Sequence, residues 1–156
     1  MQKNHYLKLS FLLAVGLISA VFILQYGFNI LPCKLCLLQR YPYYLMLLCL
    51  SILYSFRLHK FDKYFLYLVT LCFFATSAIA LYHSLVELGY ITTQLHCASS
   101  SLYNNLEDMQ NSIIGRPAVS CDAAAFKILY LSLSNWNCLF ALSCSILGGR
   151  IIIKNN

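Results

Sequence analysis

Charge is what this chain has least of. Only 10% of its 156 residues are Asp, Glu, Lys or Arg, whereas 60% are hydrophobic, and the mean hydropathy is +0.69. A soluble domain carries about 25% charged residues. The deficit excludes an ordinary water-soluble enzyme and predicts an integral membrane protein. Acidic residues are scarcer still, 5 against 11 Lys and Arg. The basic excess does not imply a nucleic-acid partner, because the cations are scattered at the ends of apolar runs, a pattern that reads as membrane topology. Internal repeats, low-complexity tracts and linkers are missing as well. That leaves no room for a separate soluble domain and predicts one domain over residues 1–156.

What the chain has is long apolar runs, at 9–30, 41–56, 64–85 and 123–147. A hydrocarbon core is crossed by about 20 helical residues. The second run is short at about 24 Å, but Arg40 and Arg57 at its ends can snorkel to the headgroups. Lone strands would leave backbone polar groups unsatisfied in lipid. The expected fold is therefore an all-α membrane protein, a four-transmembrane-helix bundle. The first run follows Lys3 and Lys8 like an uncleaved signal anchor, and no small-x-small cleavage site comes after it.

Basic residues orient the bundle. Lys3, Lys8, Arg57, Lys60, Lys63, Arg150 and Lys154 fall on one side, against Lys34, Arg40, Arg116 and Lys127 on the other. The positive-inside rule puts both termini and the 57–63 turn in the cytoplasm, leaving outer loops at about 31–40 and 87–122.

This topology sorts the eight cysteines. Cys49, Cys72, Cys138 and Cys144 fall in spans, where free cysteine behaves as a small apolar residue. Cys33, Cys36, Cys97 and Cys121 fall on the outer face, where disulfides persist. Cys97 and Cys121 bracket the segment 98–120, so a structural staple there would restrain a long loop. A bridge across Cys33-Lys34-Leu35-Cys36 would restrain almost nothing, and this spacing suits reversible dithiol chemistry. Arg40 follows as a fixed cation able to steady a thiolate or to donate to a carbonyl oxygen, or else to anchor a span. A four-thiolate zinc site is the competing arrangement for the outer cysteines; Arg40 weighs against it, and no metal is expected. The dithiol and the cation stand at the depth where a lipid-soluble quinone ring arrives. Within "SLYNNLEDMQNSIIG", Leu102, Leu106, Met109 and Ile113 recur at helical spacing, predicting a short amphipathic helix in the second outer loop.

"PCKLCLLQR" after the first span, "YHSLVELGY" leaving the third and "SCDAAAFKILYLSLSNWN" opening the fourth together resemble the DsbB family. These are quinone-linked membrane disulfide oxidases of the bacterial inner membrane. The resemblance implies that a periplasmic DsbA-like thioredoxin-fold protein is reoxidised and that the electrons pass to ubiquinone or menaquinone. It implies disulfides Cys33–Cys36 and Cys97–Cys121, with Cys97 forming the mixed disulfide with the partner. Cys36 and Arg40 correspond to the quinone-contacting positions. His83 matches the family's end-of-span histidine, and Glu87 lies one turn beyond it. Both are candidates for the quinone site, with headgroup-level polarity as their alternative role. The chain departs from the pattern at 91–93, without the Trp and Pro of many relatives, and at Ser134-Asn135, where Ala-Gly often stands. The rival readings are a vitamin K epoxide reductase-like enzyme, in which the CxxC typically comes late in the chain, a metal-binding tetraspan protein, and an inert structural tetraspan scaffold.

Overall fold

A computed structural model describes residues 2–30, 32–57, 59–91, 127–128 and 131–154. Cys97, Cys121, Arg116 and the amphipathic segment 102–113 lie outside the described residues.

Four helical stretches are long and apolar enough to cross a membrane: Gln2–Gly27, Lys34–Ser55, Asp62–Glu87 and Leu133–Lys154. The first is α1 (Gln2–Phe22) continued by a π-helical turn, Ile23–Gly27. The second combines a short α2 (Lys34–Leu38) with α3 (Tyr41–Ser55). The third is α4 (Asp62–Glu87), entered through a 3₁₀ turn at His59–Phe61. The fourth is α5 (Leu133–Lys154). The all-α, four-span architecture is thus present.

Two boundaries differ from the hydropathy reading, each for a local reason. The segment 31–40 carries α2, so the second span begins ahead of its apolar run. Between α2 and α3 the Arg40 N–H bonds Leu37 O at 3.0 Å, a tightened turn. Pro42, near the start of α3, has no N–H to continue an α-helical ladder across the junction. The fourth helix starts at Leu133 rather than near 123. Ahead of it, Lys127–Ile128 pairs antiparallel with Leu131–Ser132, and Ser132 Oγ accepts the Asn135 N–H at 3.4 Å as an N-cap.

α4 touches each of the other long helices and has its largest interface with α5. Leu7, Ala14, Met46, Leu50, Leu66, Val69, Phe73 and Ala141 form the buried core. Leu12, Ile23, Leu48, Leu71, Phe74, Leu139 and Ile146 are exposed, as expected of side chains that face lipid rather than water. Small residues allow close helix approach. A β-carbon on Gly148 would overlap Thr70 Oγ1 and lie 2.7 Å from Tyr6 Oη, and Tyr6 Oη donates to Cys144 O across that contact. At the other end of the bundle a second small cluster of Cys33, Leu35 and Val86 seats the dithiol against the end of α4.

α4 stops in a Schellman motif. The Tyr90 N–H bonds Leu85 O and the Gly89 N–H bonds Val86 O, both at 3.0 Å, with Gly89 at φ +77°. His83 and Glu87 therefore sit in the last two turns of α4, level with α2.

Candidate functional site

Cys33 is the N-cap of α2. Its backbone is extended (φ −71°, ψ 169°), which turns Sγ back over the first turn to accept the Cys36 N–H at 3.2 Å. The two Sγ atoms lie 2.8 Å apart, within hydrogen-bonding distance. His83 reaches across from α4 and brings Nε2 to 3.6 Å from Cys33 Sγ. Cys33 is buried and Cys36 half-buried. Together these contacts draw the Cys33 thiol down to about 5 from its ordinary 9.0. The Cys36 hydrogen bond contributes most, His83 and the Cys36 N–H add to it, and burial opposes it.

His83 is held from behind. Gln39, in the turn after α2, places Nε2 at 2.8 Å from His83 Nδ1. Asn137 on α5 donates to Gln39 Oε1 at 2.8 Å, and Tyr43 on α3 donates to Asn137 Oδ1 at 2.8 Å. One turn beyond His83, Glu87 brings Oε1 to 3.5 Å from His83 Nε2, and its Oε2 accepts from Ser134 Oγ at 2.6 Å. Ser134 also touches Ser132 and Ser84 at 2.7 and 3.4 Å. Buried polar groups in a membrane are costly unless partnered, and most of these are partnered by one another.

Beside the dithiol opens a mostly apolar cavity of about 410 Å³, walled by α1, α3, α4 and α5. Cys36, Arg40, His83 and Glu87 all line it, as do Gln25 and Trp136. Arg40 is buried and donates Nη1 to Gln25 Oε1 at 2.8 Å. Gln25 stands in the π-helical turn of α1, where the extra residue per turn re-aims side chains. The structure thus brings together Cys33, Cys36, Arg40, His83 and Glu87; Cys97 and Cys121 lie outside the described residues. The sequence leaves Arg40 open to steady a thiolate, to donate to a carbonyl oxygen or to anchor a span; in the structure it bonds Gln25, while the Cys36 N–H and His83 stand at the Cys33 sulfur.

Gln25, Gln39, Tyr43, Ser134 and Asn137 belong to the site and were not anticipated from sequence. The available signal was the presence of carboxamides at 25 and 137 in runs long enough to span a membrane, since polar residues at membrane depth are retained for a reason. The serine and asparagine at 134–135 had been noted only as a departure from the family pattern.

Comparison with known proteins identifies the family. A protein of Rickettsia prowazekii (strain Madrid E), described as uncharacterised, is 29% identical over 157 aligned positions, covering 97% of this chain and 90% of the relative. No solved structure matches. The family model described as disulfide bond formation protein DsbB matches residues 3–149. With four spans and a CxxC dithiol at the mouth of a cavity in the bundle, the chain belongs to the DsbB family of membrane disulfide bond formation proteins.

Proposed function

We propose that the protein oxidises the dithiol of a periplasmic thioredoxin-fold protein of the DsbA kind and delivers the two electrons to ubiquinone or menaquinone in the bilayer. The observation that carries this reading is the position of Cys36, a redox-capable sulfur in the wall of a cavity among spanning helices, with Arg40 and His83 in the same wall. Apolar walls suit a quinone ring, and guanidinium and imidazole N–H groups suit its carbonyl oxygens. A bound quinone supplies a two-electron acceptor strong enough to reoxidise a partner poised near about −120 mV.

The remaining chemistry belongs to the chain. A partner thiolate attacks Cys97 of a Cys97–Cys121 disulfide, and the partner's second thiol then closes its own disulfide. The two electrons and two protons now reside on Cys97 and Cys121. Exchange with Cys33–Cys36 moves them to the inner pair. Cys33, held as a thiolate, closes the bond to Cys36 while the electron pair leaves on the cavity side. Arg40, fixed by Gln25, and His83, fixed by Gln39, orient the acceptor, with Glu87 beside them. The seven basic residues at the termini and the 57–63 turn support cytoplasmic termini and periplasmic dithiols in a bacterial inner membrane.

The test uses purified full-length protein in detergent with a reduced thioredoxin-fold dithiol and either quinone. One quinone reduced per partner disulfide formed is expected. Partner oxidation that proceeds without quinone reduction, or no turnover with either quinone, overturns the reading.

A further inference from the structure

His83 carries more support than a cavity-lining side chain needs. Its Nδ1 is tied to Tyr43 through Gln39 and Asn137 by three contacts of 2.8 Å each. Two carboxamides in series ending on a hydroxyl form a chain that can run in either direction. Rotating both amides turns Tyr43 from donor to acceptor and moves the His83 proton from Nε2 to Nδ1, with every bond retained. His83 can therefore offer the dithiol either an N–H or a lone pair at Nε2. That atom and the sulfurs of Cys33 and Cys36 all lie within 4.8 Å of one another. Glu87 Oε1 lies 3.5 Å from the same nitrogen.

We propose that in the dithiol state Cys33, Cys36, His83 and Glu87 form a four-coordinate site for a thiophilic divalent metal ion of the zinc class, a site the disulfide state lacks. A tetrahedron with Zn–S of about 2.3 Å and Zn–N and Zn–O of about 2.0 Å spaces its ligands by about 3.7 Å (S···S), 3.5 Å (S···N) and 3.3 Å (N···O). The observed separations are 2.8 Å for the sulfurs, 3.6 Å for Cys33 Sγ to His83 Nε2 and 3.5 Å for His83 Nε2 to Glu87 Oε1. Cys33, Cys36 and His83 are already gathered within 4.8 Å, and the Glu87 carboxylate swings in from beside His83 to complete the six ligand pairs. Of the three separations compared, two already match. The third needs a movement of about an ångström, and Cys36 borders the cavity that gives it room.

The outer shell is also in place. A metal-bound imidazole donates its other N–H to an acceptor, and a ligating carboxylate is itself hydrogen-bonded. The reversed amide chain supplies Gln39 Oε1 to Nδ1–H, and Ser134 donates to Glu87 Oε2. Binding replaces the thiol protons with the metal and releases them; no electrons move. His83 and Cys33 are buried, but Cys36, His83 and Glu87 border the cavity, which provides the entry path. A metal held there withdraws both thiolates from disulfide formation, so metal load brakes the oxidase.

Cobalt(II) is the probe. Reduced full-length protein in detergent is expected to bind one Co²⁺ per chain, with thiolate-to-cobalt charge transfer and the intense visible bands of four-coordinate cobalt, and Zn²⁺ should displace it. The disulfide form of the same protein should show neither band. Cys97→Ser with Cys121→Ser should keep the bands, and Cys36→Ser should cut the charge-transfer intensity at saturation to about half, one of the two thiolates being lost. Asn137→Leu, which cuts the amide chain away from the ligands, should weaken binding about 10- to 100-fold. In unsubstituted reduced protein, Zn²⁺ should also protect Cys33 and Cys36 from alkylation, a readout that needs no variant to fold. Absence of bands, bands persisting in the disulfide form, undiminished charge-transfer intensity in Cys36→Ser, bands lost with Cys97 and Cys121, unchanged affinity in Asn137→Leu, or unprotected thiols would each overturn the site. Quinone plays no part in these readouts, so the site and the proposed oxidase activity stand or fall separately.

Discussion

At Cys33 three groups meet one sulfur: the Cys36 thiol, the Cys36 N–H and the His83 side chain. Thiolate, not thiol, is the species that attacks or is alkylated. With its pKa drawn to about 5, Cys33 of the reduced protein is ionised at neutral pH and loses its charge as the pH falls through 5. Its iodoacetamide alkylation rate, read by mass spectrometry, is therefore expected to stay level from neutral pH downward and to halve near pH 5. An ordinary thiol at 9.0 would already be slowing about tenfold per unit through neutral pH. Removing a donor from a charged acceptor costs about 1.5–3 kcal/mol at good geometry. The His83 contact is long, so His83→Ala should raise the midpoint by about one unit.

The cysteines then separate by role. Cys33→Ser and Cys36→Ser should each abolish quinone-dependent oxidation. Cys97→Ser should block transfer from the partner while leaving Cys33–Cys36 oxidisable by quinone, as followed by thiol trapping. Near-normal turnover in Cys33→Ser would defeat the proposed order of transfer.

At the scale of elements, the site depends on where helices stop and bend. The π-helical turn of α1 carries Gln25 to Arg40, and the tightened turn between α2 and α3 buries Gln39 and Arg40. Arg40→Lys keeps the charge but loses the planar fork, and Gln25→Leu keeps the fork but frees it. Both are expected to raise the apparent KM for quinone, Gln25→Leu by about tenfold given the strength of a charge-assisted bond. The alkylation profile of Cys33 should not change in either. An unchanged quinone dependence in both would reduce Arg40 to a membrane anchor. The Schellman stop of α4 sets the depth of His83 and Glu87. Gly89→Ala forces a β-carbon into a left-handed conformation, so thermal unfolding in detergent should show a loss of about 1–2 kcal/mol.

At the scale of the whole molecule, four helices enclose two different interiors. The half holding Tyr6, Leu66, Val69 and Ala141 is packed, with Gly148 letting α5 approach Thr70 and Tyr6. The half holding the dithiol is hollow, a mostly apolar cavity edged by the polar side chains of the site. Cys72 and Cys144 are buried in the packed core, Cys49 is half-buried on α3, and Cys138 contacts Ser77 on α4. Changing all four together to Ala should preserve quinone-linked turnover while lowering stability by about 1 kcal/mol for each of the buried Cys72 and Cys144. Loss of turnover in a folded quadruple variant would mean that the interior cysteines take part in electron transfer.

Read alone, the sequence determined the membrane class, the four spans and the CxxC followed by a cation. Each of these is a local property: apolar length, scarcity of charge, and spacing within a few residues. The same local signals overran at the fourth span, because hydropathy does not register that Ser132 caps a helix or that the chain before it pairs as strand. Only the tertiary structure decided which polar residues serve the dithiol. His83 lies 50 residues from Cys33, and Asn137 lies 98 from Gln39. Gln39 and Tyr43 are unremarkable in their own segments, and the carboxamides at 25 and 137 do not reveal their partners. These four become a site because helix packing brings four distant stretches to one depth, where a buried polar group is costly unless it finds a partner.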